Sequence, residues 1–400
     1  MFRLTRRQFL KLTGSAAASA VLLGVGCAPQ APGNPTADAN PTAAPSNTAP
    51  PTAMPPASAT SPAPTHTALP PTFTQPAATA LPAASATPTA PTPTVTALPA
   101  SRADLMRIYP AAPSRVVRIH HGGVWNGGDL SPEALGQMLD AAITKVTGLN
   151  DASQAWKALF DPGERIVLKV NTILGSSTFT HVPLVNAIAD RLQAAGVPAE
   201  QITVYDRSSS ELQGAGFKIN RDGPGVRCYG TDGNYSYKAT VAGQATRLSD
   251  ILMKADALIN VPLVKQHGMT GFTFALKNHF GTINNPPNFH YGQQMRRGIA
   301  EISALPPIKD KTRLIIGDAL TLVLGNNWDQ PMPGDSLFMS FDPVAHDTQG
   351  LKVLGEAITS KGRDPGWNFK TAGYWLASGV ELGLGTNDPA QMDFIEETLA

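Results

Sequence analysis

An α/β domain with a largely parallel sheet flanked by helices is what this sequence predicts. Short apolar, β-branched runs recur from Val116 onward, and helical patterns fall between them. Alternation of that kind marks buried strands joined by crossover helices. The strand-like runs are Val116–Ile119, Arg165–Val170, Ile202–Tyr205, Ala257–Asn260, Arg313–Asp318 and Leu337–Phe341. The helical patterns are Pro132–Val146, Pro183–Ala195, Leu248–Ala255 and Pro343–Ile358. Pro132, Pro183 and Pro343 each stand at a first helical turn, where the missing N–H costs no intrahelical bond. Glycines and short alternating runs between Ser210 and Thr246 predict a small β-rich excursion around residues 210–246.

Composition divides the 400 residues into three parts. Thr5-Arg6-Arg7-Gln8-Phe9-Leu10-Lys11 matches the twin-arginine export pattern at every position. The apolar run from Leu12 to Gly26 is too short and too rich in small residues to span a bilayer stably, so it reads as a signal segment. Gly24-Val25-Gly26-Cys27 resembles a lipoprotein cleavage box with Cys27 as the lipidated residue, although such boxes usually carry leucine where Gly24 stands. Residues 28–100 are Pro, Thr, Ala and Ser with almost no charge. Such a segment buries too little apolar surface to offset its ordering entropy. It is expected to be a disordered stalk, reaching roughly 50 Å as a coil and about 200 Å as polyproline II. Residues 101–400 suffice for one globular domain with a substantial core. The expected location is therefore outside the cytoplasmic membrane, with Cys27 as the anchor.

The charge balance excludes several functions. Net charge is +1, with no basic stripe beyond the signal segment, so nucleic acid is not an expected partner. Of two cysteines, one is Cys27, and a lone Cys228 builds neither a disulfide framework nor an iron–sulfur cluster. No Walker loop is present, and Gly214-Ala215-Gly216 lacks the third glycine of a dinucleotide fingerprint. Ser208-Ser209-Ser210 has no Gly-x-Ser-x-Gly elbow and reads as a loop and helix cap. The C-terminal aromatics Trp367, Phe369, Tyr374 and Trp375 read as packing.

What closes each strand is more telling. Lys169 and Asn171 end the Ile166 run, Asp206 the Ile202 run, Asn260 the Ala257 run and Asp318 the Leu314 run. Open α/β sheets bind ligands outside the carboxyl ends of their strands. Asp and Asn also serve as helix N-caps just after strands, so capping competes at each position. Just downstream, Lys265, His267, Lys277, Asn278 and His279 crowd an otherwise apolar stretch. Buried lysines need an anion, a carboxylate or a shifted pKa.

At these residues the chain resembles a known family. Lys169-Val-Asn171, Thr180-His181-Val-Pro183, Asn260 to His267, Ala275 to Gly281 and Asp342-Pro343-Val-Ala-His-Asp347 reproduce, in order, the blocks of the family named "domain of unknown function 362". The resemblance covers roughly Arg115 to Leu399 and supports the lysine positions as site residues. It implies little about activity, since the family is named for lacking an assigned one. Some members carry ferredoxin-like cysteine clusters; this chain departs from that pattern completely.

The predicted site comprises Lys169, Asn171, Asp206, Asn260, Lys277 and Asn278 as ligand-holding residues, with Lys265, His267 and Asp318 as the catalytic set. Three converging ammonium groups suit a small anionic substrate or cofactor of unidentified kind; the alternative is that each lysine pairs with Asp206 or Asp318, or reaches solvent. His267 is the acid/base candidate, two residues from Lys265 and on its side if that segment is extended. A non-catalytic surface ligand-binding protein is the second functional reading. A metal-dependent redox or hydrolytic protein is the third, drawing on His181, His267, His279, His290 and His346, but no compact ligand motif supports it and no metal residue is assigned. Asp342 reads as an N-cap, with Asp347 left open between the helix dipole and a ligand.

Overall fold

The structure, a computed structural model, describes residues 101–173, 178–325 and 330–400. The export pattern, Cys27 and the stalk lie outside the described residues. Fourteen strands occur among the described residues: β1 (Ser114–His121), β2 (Trp125–Asn126), β3 (Asp129–Leu130), β4 (Ile166–Lys169), β5 (Ile202–Tyr205), β6 (Arg227–Cys228), β7 (Tyr235–Val241), β8 (Gln244–Ser249), β9 (Ala257–Asn260), β10 (Leu263–His267), β11 (Gly271–Thr273), β12 (Thr312–Val323), β13 (Met332–Ser340) and β14 (Met392–Leu399).

The main sheet runs β14-β1-β13-β12-β9-β4-β5-β6, with β10 and β11 added alongside β12. Its central pairs β12–β9, β9–β4, β4–β5 and β5–β6 are parallel. The antiparallel pairs β1–β13 and β12–β13 interrupt it toward one edge. The fold is thus α/β with a mostly parallel sheet flanked by helices.

Period-2 alternation explains the two cores. Ile166, Leu168 and Ile259 face one layer, with Leu135, Ile143 and Ile188 from helices Pro132–Thr147 and Val182–Ala194. Val167 and Leu258 face the other, with Ile299, Leu354 and Trp375 from helices Gly292–Ala304, Pro343–Ser360 and Gly366–Glu381. Burial on both faces is why the central strands read as continuous apolar runs.

The β-rich excursion is the antiparallel hairpin β7–β8, whose turn residues Ala242 and Gly243 both have positive φ. That is the turn geometry that matches strand twist in a two-residue hairpin loop. One sequence expectation needs correcting here. The helix expected over Leu248–Ala255 spans only Asp250–Lys254, because Leu248 and Ser249 complete β8, and the Ser249 hydroxyl accepts from the Ile251 N–H at 3.3 Å.

One bend in the chain makes room for the site. β9 pairs with β4 as far as Lys169 opposite Asn260. Val261 N still donates to Lys169 O at 2.8 Å, but Pro262 has no N–H with which to continue the ladder. The chain then runs on as β10, parallel to the second half of β12. A gap opens beyond the carboxyl ends of β4 and β5.

Candidate functional site

A cavity of ≈160 Å³ occupies that gap. It is lined by Lys169 and Asn171 from the end of β4, Asp206 after β5, Lys265 and His267 on β10, and Lys277 and Asn278 on the short helix Ala275–Asn278. Lys265 and His267 share a face because β10 is extended. Seven of the nine predicted residues thus meet at one place.

Lys169 is satisfied within the protein. Its Nζ donates to Asp206 Oδ1 at 2.7 Å and to the carbonyl of Val170. Asp206 is equally committed: Oδ2 accepts from Thr172 N at 2.7 Å and Thr172 Oγ1 at 2.9 Å, and Oδ1 accepts from Arg207 N at 2.8 Å. Burial lowers the pKa of Lys169, and Asp206 opposes that shift. Lys169 therefore drops out of the expected trio of converging cations, because a carboxylate holds it.

Lys265 and Lys277 line the same cavity. Burial lowers Lys265 to about 8 against the pull of Asp206. Burial, reinforced by Lys265, lowers Lys277 to about 7. The Lys277 ammonium lies 4.4 Å from the centre of the Phe280 ring, a cation–π contact. The second lining carboxylate, Glu211, is taken by Arg207 at 2.5 and 3.2 Å. Among the described residues, four cations (Lys169, Arg207, Lys265, Lys277) and two carboxylates (Asp206, Glu211) line the cavity.

Two asparagines and a threonine complete the polar wall. Asn278 is the hub, donating to Lys169 O at 3.0 Å and Asn260 Oδ1 at 2.7 Å while accepting from Asn171 Nδ2 at 3.3 Å. Asn171 Oδ1 and Thr273 Oγ1 line the cavity buried and without a hydrogen-bond partner. Buried polar atoms are rarely left so unless something else visits them.

The histidines take parts that sequence could not assign. His267 Nδ1 accepts from the N–H groups of Met269 and Thr270 at 3.1 and 3.2 Å, so Nδ1 bears the lone pair and Nε2 the proton. Burial and the charges of Lys277, His290 and Lys265 push its pKa far down. His267 is thus a neutral hydrogen-bond donor, and its predicted acid/base role is corrected: its only lone pair is engaged by the backbone. His290 stacks on it at 5.4 Å between ring centres. His290 Nδ1 donates to Pro286 O at 3.0 Å, which leaves Nε2 as a free lone pair. His290 is thus a candidate proton acceptor in this cavity.

Two predicted residues lie elsewhere. Asp318 is fully buried and accepts from both the N–H and Nδ1 of His181 at 2.8 Å, holding the start of helix Val182–Ala194. Capping prevails there over catalysis. Asn260 donates to Ala275 O at 2.9 Å and borders a separate cavity of ≈300 Å³ with His279. It supports the wall through Asn278. Arg207, Glu211, Thr273, Phe280 and His290 were not predicted for the site. Thr273 had a usable signal, since it stands opposite Lys265 in the β10–β11 ladder. Among the described residues, no group of three or more His, Cys, Asp or Glu side chains is placed to hold a metal ion.

Fold and site together define an α/β protein with a lysine-rich cavity at the carboxyl edge of its sheet. Residues 166–352 match the family model described as Domain of unknown function (DUF362). A search of curated proteins finds no match. Two solved structures are similar over part of the chain. One is the crystal structure of a Thermotoga maritima protein, at 13% identity and a TM-score of 0.36, covering 60% of each chain. The other is a lactate racemase apoprotein from Thermoanaerobacterium thermosaccharolyticum, at 12% identity and a TM-score of 0.33, covering 60% of this chain and 62% of that one. The chain thus spans about three-fifths of the length of each.

Proposed function

We propose that the cavity binds a small anionic molecule at Lys277, and that His290 serves proton transfer there. The observation supporting this is the buried ammonium of Lys277, which neither lining carboxylate pairs with, since Asp206 is committed to Lys169 and Glu211 to Arg207. A desolvated ammonium is costly without an anion, and an anion entering beside Lys277 removes that cost. The cavity of ≈160 Å³, about five times the share of one water molecule, has room for a small molecule such as a tetrahedral oxyanion. We propose further that this takes place outside the cytoplasmic membrane, after export through the Thr5–Lys11 pattern and lipidation at Cys27.

Thermal unfolding with added sulfate is the direct test. Sulfate at about 100 times its Kd is expected to stabilise the native state by about 2.7 kcal/mol. The effect should be strongest near pH 6.5, where both lysines are charged, and should fade by pH 9. A shift of equal size in the Lys265→Met/Lys277→Met double variant would refute the site. Radiolabelled palmitate incorporation that persists in Cys27→Ala would refute the anchor.

A further inference from the structure

We propose that the occupant of the anion cavity carries its own O–H donor, as hydrogen phosphate and small hydroxy acids do, and that Asn171 Oδ1 is the acceptor that selects it. This rests on the anion-binding reading of the cavity and narrows its occupant to one chemical class.

A chain of amides fixes the direction in which Asn171 faces. The carbonyl of Lys169 can only accept, so the group of Asn278 that meets it at 3.0 Å is the amide nitrogen. The same nitrogen donates to Asn260 Oδ1 at 2.7 Å. Asn260 is oriented in turn, because its own nitrogen donates to Ala275 O at 2.9 Å. Asn278 Oδ1 is thus turned toward Asn171, and Lys169 Nζ, a donor only, approaches that oxygen at 3.5 Å. Asn171 meets it with nitrogen at 3.3 Å, which leaves its own Oδ1 facing away from Asn278. A flip of any one of these amides would set oxygen against oxygen.

Among the described residues, Asn171 Oδ1 is buried without a hydrogen-bond partner, and so is Thr273 Oγ1 on the same cavity. Asn171 is 9% exposed and Thr273 3%. An amide oxygen only accepts, so its missing partner is a donor. A bare oxyanion cannot supply one, since its lone pairs would meet those of Oδ1. The donor nevertheless belongs to an anion, because the Lys277 ammonium lines this cavity and neither lining carboxylate pairs with it. An ammonium donor would add a cation beside Lys169, which shares the Asn278 oxygen with Asn171; an uncharged O–H does not. His290 Nε2 is a second lone pair on this wall, since Nδ1 donates to Pro286 O at 3.0 Å. A wall that mixes fixed acceptors with a cation matches an anion protonated on one oxygen, and not one bare on all.

Calorimetric titration of the full chain with matched anions tests this. Above neutral pH, phosphate and sulfate have the same charge and shape and differ by one proton. Phosphate is expected to bind at least about tenfold tighter, because sulfate leaves a buried acceptor facing an oxyanion. Glycolate against acetate puts the same question to a hydroxy acid, and the pair that separates identifies the source of the O–H. Asn171→Leu, which removes the acceptor, is expected to reduce the preference at least roughly threefold. An unchanged preference in that variant, shown to be folded by circular dichroism, overturns the role of Asn171. The wild-type ratios need no variant: equal binding within both pairs overturns the proposal and leaves the anion cavity standing. Glycine binding as tightly as glycolate overturns the O–H. Absence of binding by every one of these anions overturns the two readings together.

Discussion

At Lys169 and Lys277 the same side chain has opposite consequences. Lys169 neutralises a carboxylate that already accepts three other hydrogen bonds, so removing it strands a buried charge. Lys169→Met is expected to cost about 3–5 kcal/mol in urea unfolding. Lys277 has no such anion among the described residues, and replacing it by methionine removes a desolvation cost. Lys277→Met is therefore expected to leave the ligand-free protein as stable as the wild type or more so. Equal destabilisation by the two variants would show Lys277 to be structural. Gly281 belongs to the same cluster, since a Cβ there would collide with Asp206 Oδ1 and Lys169 Nζ. Gly281→Ala is expected to lose about 1–3 kcal/mol by forcing that ion pair apart. An unchanged urea midpoint would refute the close packing.

Individual elements show how the site is held in place. The four-residue helix Ala275–Asn278 is too short to be stable on its own. Its start is fixed by Asp347, whose carboxylate accepts from Ala275 N at 2.7 Å and Leu276 N at 3.0 Å. Asp342 caps helix Pro343–Ser360 through Val344 N and Ala345 N, both at 2.8 Å. The Asp342–Asp347 block is thus scaffolding, and it aims Lys277 and Asn278 from a distance. Asp347→Ala is expected to weaken sulfate binding without touching the cavity, through about 1–3 kcal/mol of lost hydrogen bonding. Sulfate affinity equal to wild type in a folded variant would refute that link. At helix Val182–Ala194, burial disfavours charge on His181, but Asp318 outweighs it and raises the pKa. Stability from this pair is complete below the ordinary histidine value of 6.5 and declines as pH rises through the raised one. NMR titration should find His181 above 6.5 and Asp318→Asn bringing it down.

For the whole molecule, the two cavity lysines set a pH dependence of opposite sense. Their folded pKa values, about 7 and about 8, lie below the ordinary 10.5. Between those values the unfolded chain binds more protons, so stability rises with pH. Below about pH 7 the burial cost is present in full; by about pH 10.5 it has vanished. With each pKa unit worth about 1.4 kcal/mol, the wild type should gain several kcal/mol over the Lys265→Met/Lys277→Met variant between pH 6.5 and 10. Parallel pH profiles in urea unfolding would contradict this. The sheet and both cores supply the rigid background against which so costly a pair can be kept.

The strands of the parallel core were legible because burial on both faces leaves an unbroken apolar run, as in β4 and β9. The helix starts were legible because proline and aspartate act locally, within one turn. The C-terminal strand β14 was not, since its half-exposed residues carry no such run and its pairing with β1 joins distant segments. The residue types at the strand ends marked the place of the site, since their positions follow from where each strand stops. Which lysine is matched by a carboxylate depends on a separation of 2.7 Å between residues 37 apart in the chain. Which nitrogen of His267 is free depends on a turn closing behind it. Distances of that kind arise only when β9 leaves β4 at Pro262 and the segments converge, and they set Lys169, held by a carboxylate, apart from Lys277.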